Sequence, residues 1–233
     1  YFGLKCQFNS SENSSNIQKA VELYTKAAEQ GHVLALMILQ YCYFRGLGVE
    51  KNNRTANEFG NKFSQGLKTY QCEIEKKEYD LSFKLIEQLL VNNQQQHELL
   101  QHLMGVCFHY GFGVKKSEQQ IVKWYRLAAE QGNAIAQNIL GFCYQHGEGI
   151  EKNEKEAVKW YRLSADQGYA IAQYNLGYCY QHGKGVAKSY EEAVKWYRLA
   201  ANQEYAIAQN NLGYCYQHGE GVEKDFGEAV KWY

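Results

Sequence analysis

The chain has 233 residues, with 25 Lys or Arg balanced by 25 Asp or Glu, and no proline. Zero net charge supplies no field toward nucleic acid or an anionic membrane, and no apolar run nears the roughly 20 residues that span a bilayer. Without proline, turns fall to glycine and short polar residues; nothing alternates with period two, so the chain reads as all-α.

The opening YFGLKCQFNS has neither an initiator Met nor the basic-then-apolar layout of a signal peptide. It reads as part of something longer. Residues 1–66 hold two helical hairpins, the first carrying NSSENSS at 9–15 where the others have a glycine loop, which predicts a mobile loop. Residues 67–96 break the pattern. EYDLSFKLIEQLLVNN at 78–93 suits a second helix, but no Gly-x-Gly precedes it, so this stretch reads as a shortened, degenerate repeat that still stacks. A break between two solenoid blocks is the other reading.

From residue 97 the chain repeats with a period of 36: Trp124, Trp160, Trp196 and Trp232 keep that step, and so do Cys107, Cys143, Cys179 and Cys215. In the copy from Ala170 to Gln203, a first helix stops near His182, with Gly183 in the left-handed position past its end. Gly185 allows a second tight turn. A repeated cap opens the second helix, at Ser117/Gln120, Asn153/Glu156, Ser189/Glu192 and Asp225/Glu228. Ala193, Trp196, Tyr197 and Ala200 then have the spacing of a buried face. Gly132 and Gly168 end this helix in two copies; Glu204 replaces the glycine in the third, at a cost of about 1 kcal/mol. One hairpin cannot bury its own apolar face, so the copies stack.

The motif Leu176-Gly177 with Tyr180, then Ala193, Trp196-Tyr197 and Ala200-Ala201, resembles the Sel-1-like repeat family, relatives of tetratricopeptide repeats. The resemblance covers roughly 17–66 and 97–233. It implies a right-handed α/α superhelical solenoid of stacked hairpins. The chain stops at Trp232-Tyr233, inside a repeat, and neither end has a polar capping face; end-to-end self-association through the terminal repeats follows as an expectation.

Seven cysteines are present, six of them (Cys6, Cys42, Cys107, Cys143, Cys179, Cys215) at equivalent repeat positions. Equivalent positions on stacked hairpins lie roughly 10 Å apart, too far for a disulfide, which needs Cα atoms within about 7 Å. Reduced thiols favour a cytoplasmic setting. Sequons at Asn9, Asn13 and Asn53 point the other way, to an ER-luminal or secreted chain.

Cys143/His146, Cys179/His182 and Cys215/His218 offer two metal ligands per turn, whereas a structural zinc site wants four converging donors. A catalytic thiol fares no better, because the pair is printed in every good repeat and lacks an orienting carboxylate. GYCYQHGKG misses the phosphate-loop spacing. No cofactor is expected, and no enzymatic activity.

By resemblance to tetratricopeptide repeats, the first helices line a concave groove. Its inner positions are Ile135, Asn138, Phe142, Gln145 and His146 in one repeat. The next repeat gives Ile171, Tyr174, Tyr178, Gln181 and His182, and the third Ile207, Asn210, Tyr214, Gln217 and His218. Such a ladder of rings, amides and imidazoles suits a peptide or protein segment, with imidazoles that titrate near pH 6 to 7. The alternative is that Phe142, Tyr178 and Tyr214 pack between repeats. The resemblance implies a protein-interaction scaffold, with an ER-luminal quality-control subunit as the second reading. A β-lactam-binding repeat protein is the third, although relatives of that kind carry paired cysteines in each repeat and this chain does not.

Overall fold

The computed structural model describes residues 14–30, 32–69, 80, 83–84, 86–88 and 98–233. The NSSENSS loop up to Asn13, Cys6, Cys72 and most of 67–96 lie outside the described residues. Eleven helices and no strand occur among the described residues. The chain divides into two compact units, 1–71 and 72–233. In the first, α1 (Ser14–Glu29) packs on α2 (Val33–Arg45), and α2 on α3 (Asn53–Thr69).

The second unit runs α4 (Glu98–Tyr110), α5 (Glu118–Glu130), α6 (Ala134–His146), α7 (Glu154–Asp166), α8 (Ala170–His182), α9 (Tyr190–Ala201), α10 (Ala206–His218) and α11 (Phe226–Trp232). Each helix packs on the one before and the one after. The architecture is therefore an all-α stack of hairpins, in which α6/α7, α8/α9 and α10/α11 are successive copies.

Local chemistry explains the hairpin. First helices end on Gly147, Gly183 and Gly219, each left-handed (φ 79°, 68° and 73°), whose N–H donates to the carbonyl of Cys143, Cys179 or Cys215. Second helices begin where Ser117, Asn153, Ser189 and Asp225 accept from the N–H of Gln120, Glu156, Glu192 and Glu228. Tyr161 and Tyr197 are wholly buried, and their rings lie against Gly141 and Gly177; a Cβ on those glycines would sit 2.7 and 2.8 Å from the rings. The Leu-Gly pair thus exists to admit a tyrosine. Each tyrosine hydroxyl donates to a first-helix glutamine, Tyr161 to Gln145 and Tyr197 to Gln181, both at 2.6 Å.

Polar bonds also tie one hairpin to the next. Arg126 donates to the Tyr144 hydroxyl at 3.0 Å and Arg198 to Tyr216 at 2.6 Å, and Arg162 pairs with Tyr180 in the same way. Gln167 and Gln203 donate to Gln137 and Gln173, both at 2.8 Å, and Gln137 and Gln173 donate in turn to the carbonyls of Ala129 and Ala165. A row of amides therefore runs through the stack with its hydrogen bonds made inside the protein.

Glu204 takes the left-handed backbone its position demands, φ 61°, and is the only non-glycine with positive φ among the described residues. Glu204→Gly is expected to raise stability by about 1 kcal/mol, read as a higher urea midpoint at unchanged slope. At the last hairpin Val230 is 75% exposed, whereas its counterpart Val194 is 3% exposed beneath the hairpin that follows it.

Candidate functional site

The fifteen first-helix positions separate into distinct roles. Ile135 and Asn138 are 6% and 8% exposed, which corrects their placement on an open inner face. Asn138 accepts a hydrogen bond from Asn175 at 2.9 Å, so this amide joins two first helices instead of meeting a partner. Tyr174 also serves the stack: its ring lies 5.8 Å from Tyr197 and 5.6 Å from Tyr205, and Asn211 hydrogen-bonds to it. Gln145, Gln181 and Gln217 are half-buried, their oxygens held by Tyr161, Tyr197 and Tyr233. Ile171 is half-buried, and Ile207 and Asn210 are exposed where no further hairpin covers them.

What remains forms a regular feature. Phe142 and Tyr214 are 40% and 43% exposed, and Tyr178 is half-exposed. Each ring sits against the imidazole one turn later: Phe142–His146 at 4.2 Å, Tyr178–His182 at 4.3 Å and Tyr214–His218 at 4.0 Å between centroids. Packing between repeats, the alternative for these rings, is partial: Tyr178 lies 6.4 Å from the Tyr174 ring and is half-buried, while Phe142 and Tyr214 are exposed. Residues four apart on a helix share a face, so each rung is built within one helix. The rungs repeat because the helices do.

Lys184, in the glycine loop after α8, lies 4.8 Å over the Tyr178 ring, with its Nζ 3.3 Å from the hydroxyl. Glu148 and Glu220 occupy the same loop position in the neighbouring hairpins. Burial pushes His109 below its ordinary pKa while Glu148 pulls it up. Partial desolvation lowers His182, helped by Lys184 and Lys188 and opposed by Glu220. The loop tips at Glu148 and Glu220 therefore lie beside the end of the first helix of the hairpin before them, whereas Lys184 lies on its own hairpin's Tyr178. Sequence reasoning missed these three charges. Their signal was variation: Gly-x-Gly keeps its glycines while x changes from Phe112 to Glu148, Lys184 and Glu220.

The thiols face the other way. Cys42, Cys107, Cys143, Cys179 and Cys215 are free and buried, and burial pushes the first four up to about 12 and Cys215 to about 11. His146, His182 and His218 are exposed, so no Cys-His pair converges, and no three metal-ligating side chains gather among the described residues. Thiolate is the reactive form, and at pH 8 at most about one in a thousand of these thiols carries it. Disulfide-exchange labelling is expected to leave all five untouched in the folded protein and to modify them on unfolding in urea, read site by site by mass spectrometry.

An open cleft of about 790 Å³ lies between Lys152–Lys155 and Gly183–Ala187. Lys152 is paired there with Glu154 at 3.2 Å, and Lys155 also lines the cleft. No described helix is long and apolar enough to cross a membrane.

Comparison with known proteins fits this geometry. The profile of the Sel1 repeat matches residues 6–32, 34–63, 100–133, 134–169, 170–205 and 206–233. Among solved structures, a Sel1 repeat protein from Oxalobacter formigenes is 30% identical with a TM-score of 0.59, over 95% of this chain and 76% of that one. A protective antigen of uropathogenic Escherichia coli strains displaying an SLR fold is 27% identical with a TM-score of 0.62, over 91% of this chain and 47% of the antigen. No curated protein matches the sequence. With six matched repeats and a fold built on the same hairpin, the chain belongs to the Sel1 repeat family.

Proposed function

We propose that the chain is a non-enzymatic interaction scaffold whose first helices hold a protein segment across the ring–imidazole ladder. The observation that carries this reading is the exposure of Phe142 and Tyr214, with Tyr178 half-exposed, at one repeated position in a unit that fully buries Tyr125, Tyr161 and Tyr197 at another. Aromatic residues on a surface add contact area at little cost in conformational entropy, which is why they dominate the energetics of protein contacts. The repeat family points to the same class of function.

Tyr178→Ala together with Tyr214→Ala is expected to weaken a bound partner at least tenfold while helical circular dichroism stays unchanged. Leu163→Ala with Leu199→Ala, at exposed positions of second helices, leaves binding intact. Partner retention by the tyrosine variant contradicts the proposal. Binding is also expected to respond to pH below 6.5, because protonation of His182 is held back by desolvation and by Lys184 and Lys188.

A further inference from the structure

We infer that the middle rung of the ladder takes an acidic side chain of the bound segment, held between the Lys184 ammonium and the Tyr178 hydroxyl. This rests on the ladder being the binding face; it adds the chemistry of the group that meets one rung.

The first argument is hydrogen-bond direction. An ammonium group only donates, so the 3.3 Å contact between Lys184 Nζ and the Tyr178 hydroxyl uses the phenol oxygen as acceptor. The phenol proton is left to donate, and neither side chain makes another hydrogen bond among the described residues. Lys184 also forms no ion pair among them. Tyr197 differs, because its hydroxyl donates inward to Gln181. Phe142 has no hydroxyl, and no lysine lies over the Tyr214 ring among the described residues. Only the middle rung therefore presents donors together with a positive charge, on side chains that are half-exposed. That is the complement of a carboxylate, which accepts hydrogen bonds and carries the opposite charge.

Charge in the loops supplies the second argument. The glycine loops of the second unit all keep a lysine before the helix cap, at Lys116, Lys152, Lys188 and Lys224. The loop after α6 adds Glu148 and Glu151, and the loop after α10 adds Glu220 and Glu223. The loop after α8 has Lys184 and Ala187 at those positions, so its lysines stand without an acid. Lys188 lies 4.5 Å over the Tyr190 ring. Both lysines act on His182, one turn after Tyr178, and Glu220 of the following hairpin is the carboxylate that opposes them there. Glu154, which meets this loop at Gly185, is already paired with Lys152. The rung thus keeps an excess of positive charge that nothing in its own loop neutralises.

Three probes of one size test this by NMR titration of the isotope-labelled full chain at low salt: 3-phenylpropionate, its uncharged amide, and 3-phenylpropylamine. The backbone signals of Tyr178, His182 and Lys184 are followed. The carboxylate is expected to bind there about fivefold more tightly than the amide, or better, and the amine to leave these signals in place. Lys184→Gln is expected to bring carboxylate and amide level, and Glu220→Gln to tighten the carboxylate. Equal affinity for carboxylate and amide on the parent chain, or a preference that survives Lys184→Gln, overturns the inference. So does an equal carboxylate shift at Lys224, whose ammonium lies 4.9 Å over Phe226 at the start of a second helix. If the carboxylate has no preference, yet Tyr178→Ala with Tyr214→Ala still releases a partner, the inference is wrong and the binding face stands. If the tyrosine variant releases nothing, both fall.

Discussion

Gly185→Ala is expected to destabilise the second unit by about 3 kcal/mol, adding a left-handed backbone penalty of about 1–2 kcal/mol to an overpacking cost of similar size. At φ 73°, a Cβ on this glycine would sit 2.2 Å from the backbone oxygen of Glu154, in the hairpin before it. Gly149 approaches Glu118 and Gly221 approaches Tyr190 in the same way, at 2.4 and 2.3 Å. The glycine is thus the point where one hairpin's loop rests on its neighbour's second helix. Gly183→Ala is the control: its φ is 68°, but the nearest atom to an added Cβ is the Lys188 Cβ at 3.3 Å, so only the backbone penalty applies. The stability of a stack is a sum of hairpin and interface terms. Loss of one interface is therefore expected to broaden urea unfolding into two steps for Gly185→Ala and to leave it single for Gly183→Ala. Equal midpoints for the two variants contradict the loop-on-helix contact.

A second large effect is expected on acidification, through His102. This side chain is 1% exposed in α4, both ring nitrogens lack a hydrogen-bond partner, and its ring lies 5.6 Å from Tyr125. Burial lowers its pKa from 6.5 to about 4. Below 6.5 the unfolded chain takes up a proton that the folded chain refuses, so stability is full above pH 6.5 and falls as pH drops toward 4. The difference amounts to roughly 3 kcal/mol at its limit. Asn occupies the equivalent position in two later repeats, as Asn138 and Asn210. His102→Asn is expected to flatten the part of the pH–stability curve between 4 and 6.5 that the parent shows, measured by urea melts at half-unit steps. The same slope in both proteins assigns the acid sensitivity elsewhere.

Local features of the fold were legible in the sequence because they are written in local chemistry. The left-handed glycines after His146, His182 and His218, the caps at Asn153 and Ser189, and the strained Glu204 each follow from a few neighbouring residues. The contact of Gly185 with Glu154 was not legible: it joins residues 31 apart, and letters alone do not say which glycine meets a backbone and which only turns a loop. The site shows the same division. Helical spacing put Phe142, Tyr178 and Tyr214 on one face, but only packing shows that Asn138 bonds to Asn175 while Asn210 stays open. Glu148, Lys184 and Glu220 escaped because the loop was read for its constant glycines.

The most direct measurement is site-specific photocrosslinking with benzoylphenylalanine placed at Tyr178 and, separately, at Leu199, an exposed position of a second helix. A scaffold that holds a protein segment on the ring ladder gives a discrete adduct from position 178, abolished by Tyr214→Ala, and none from position 199. Adducts of equal yield from both positions, or from 199 alone, would contradict it.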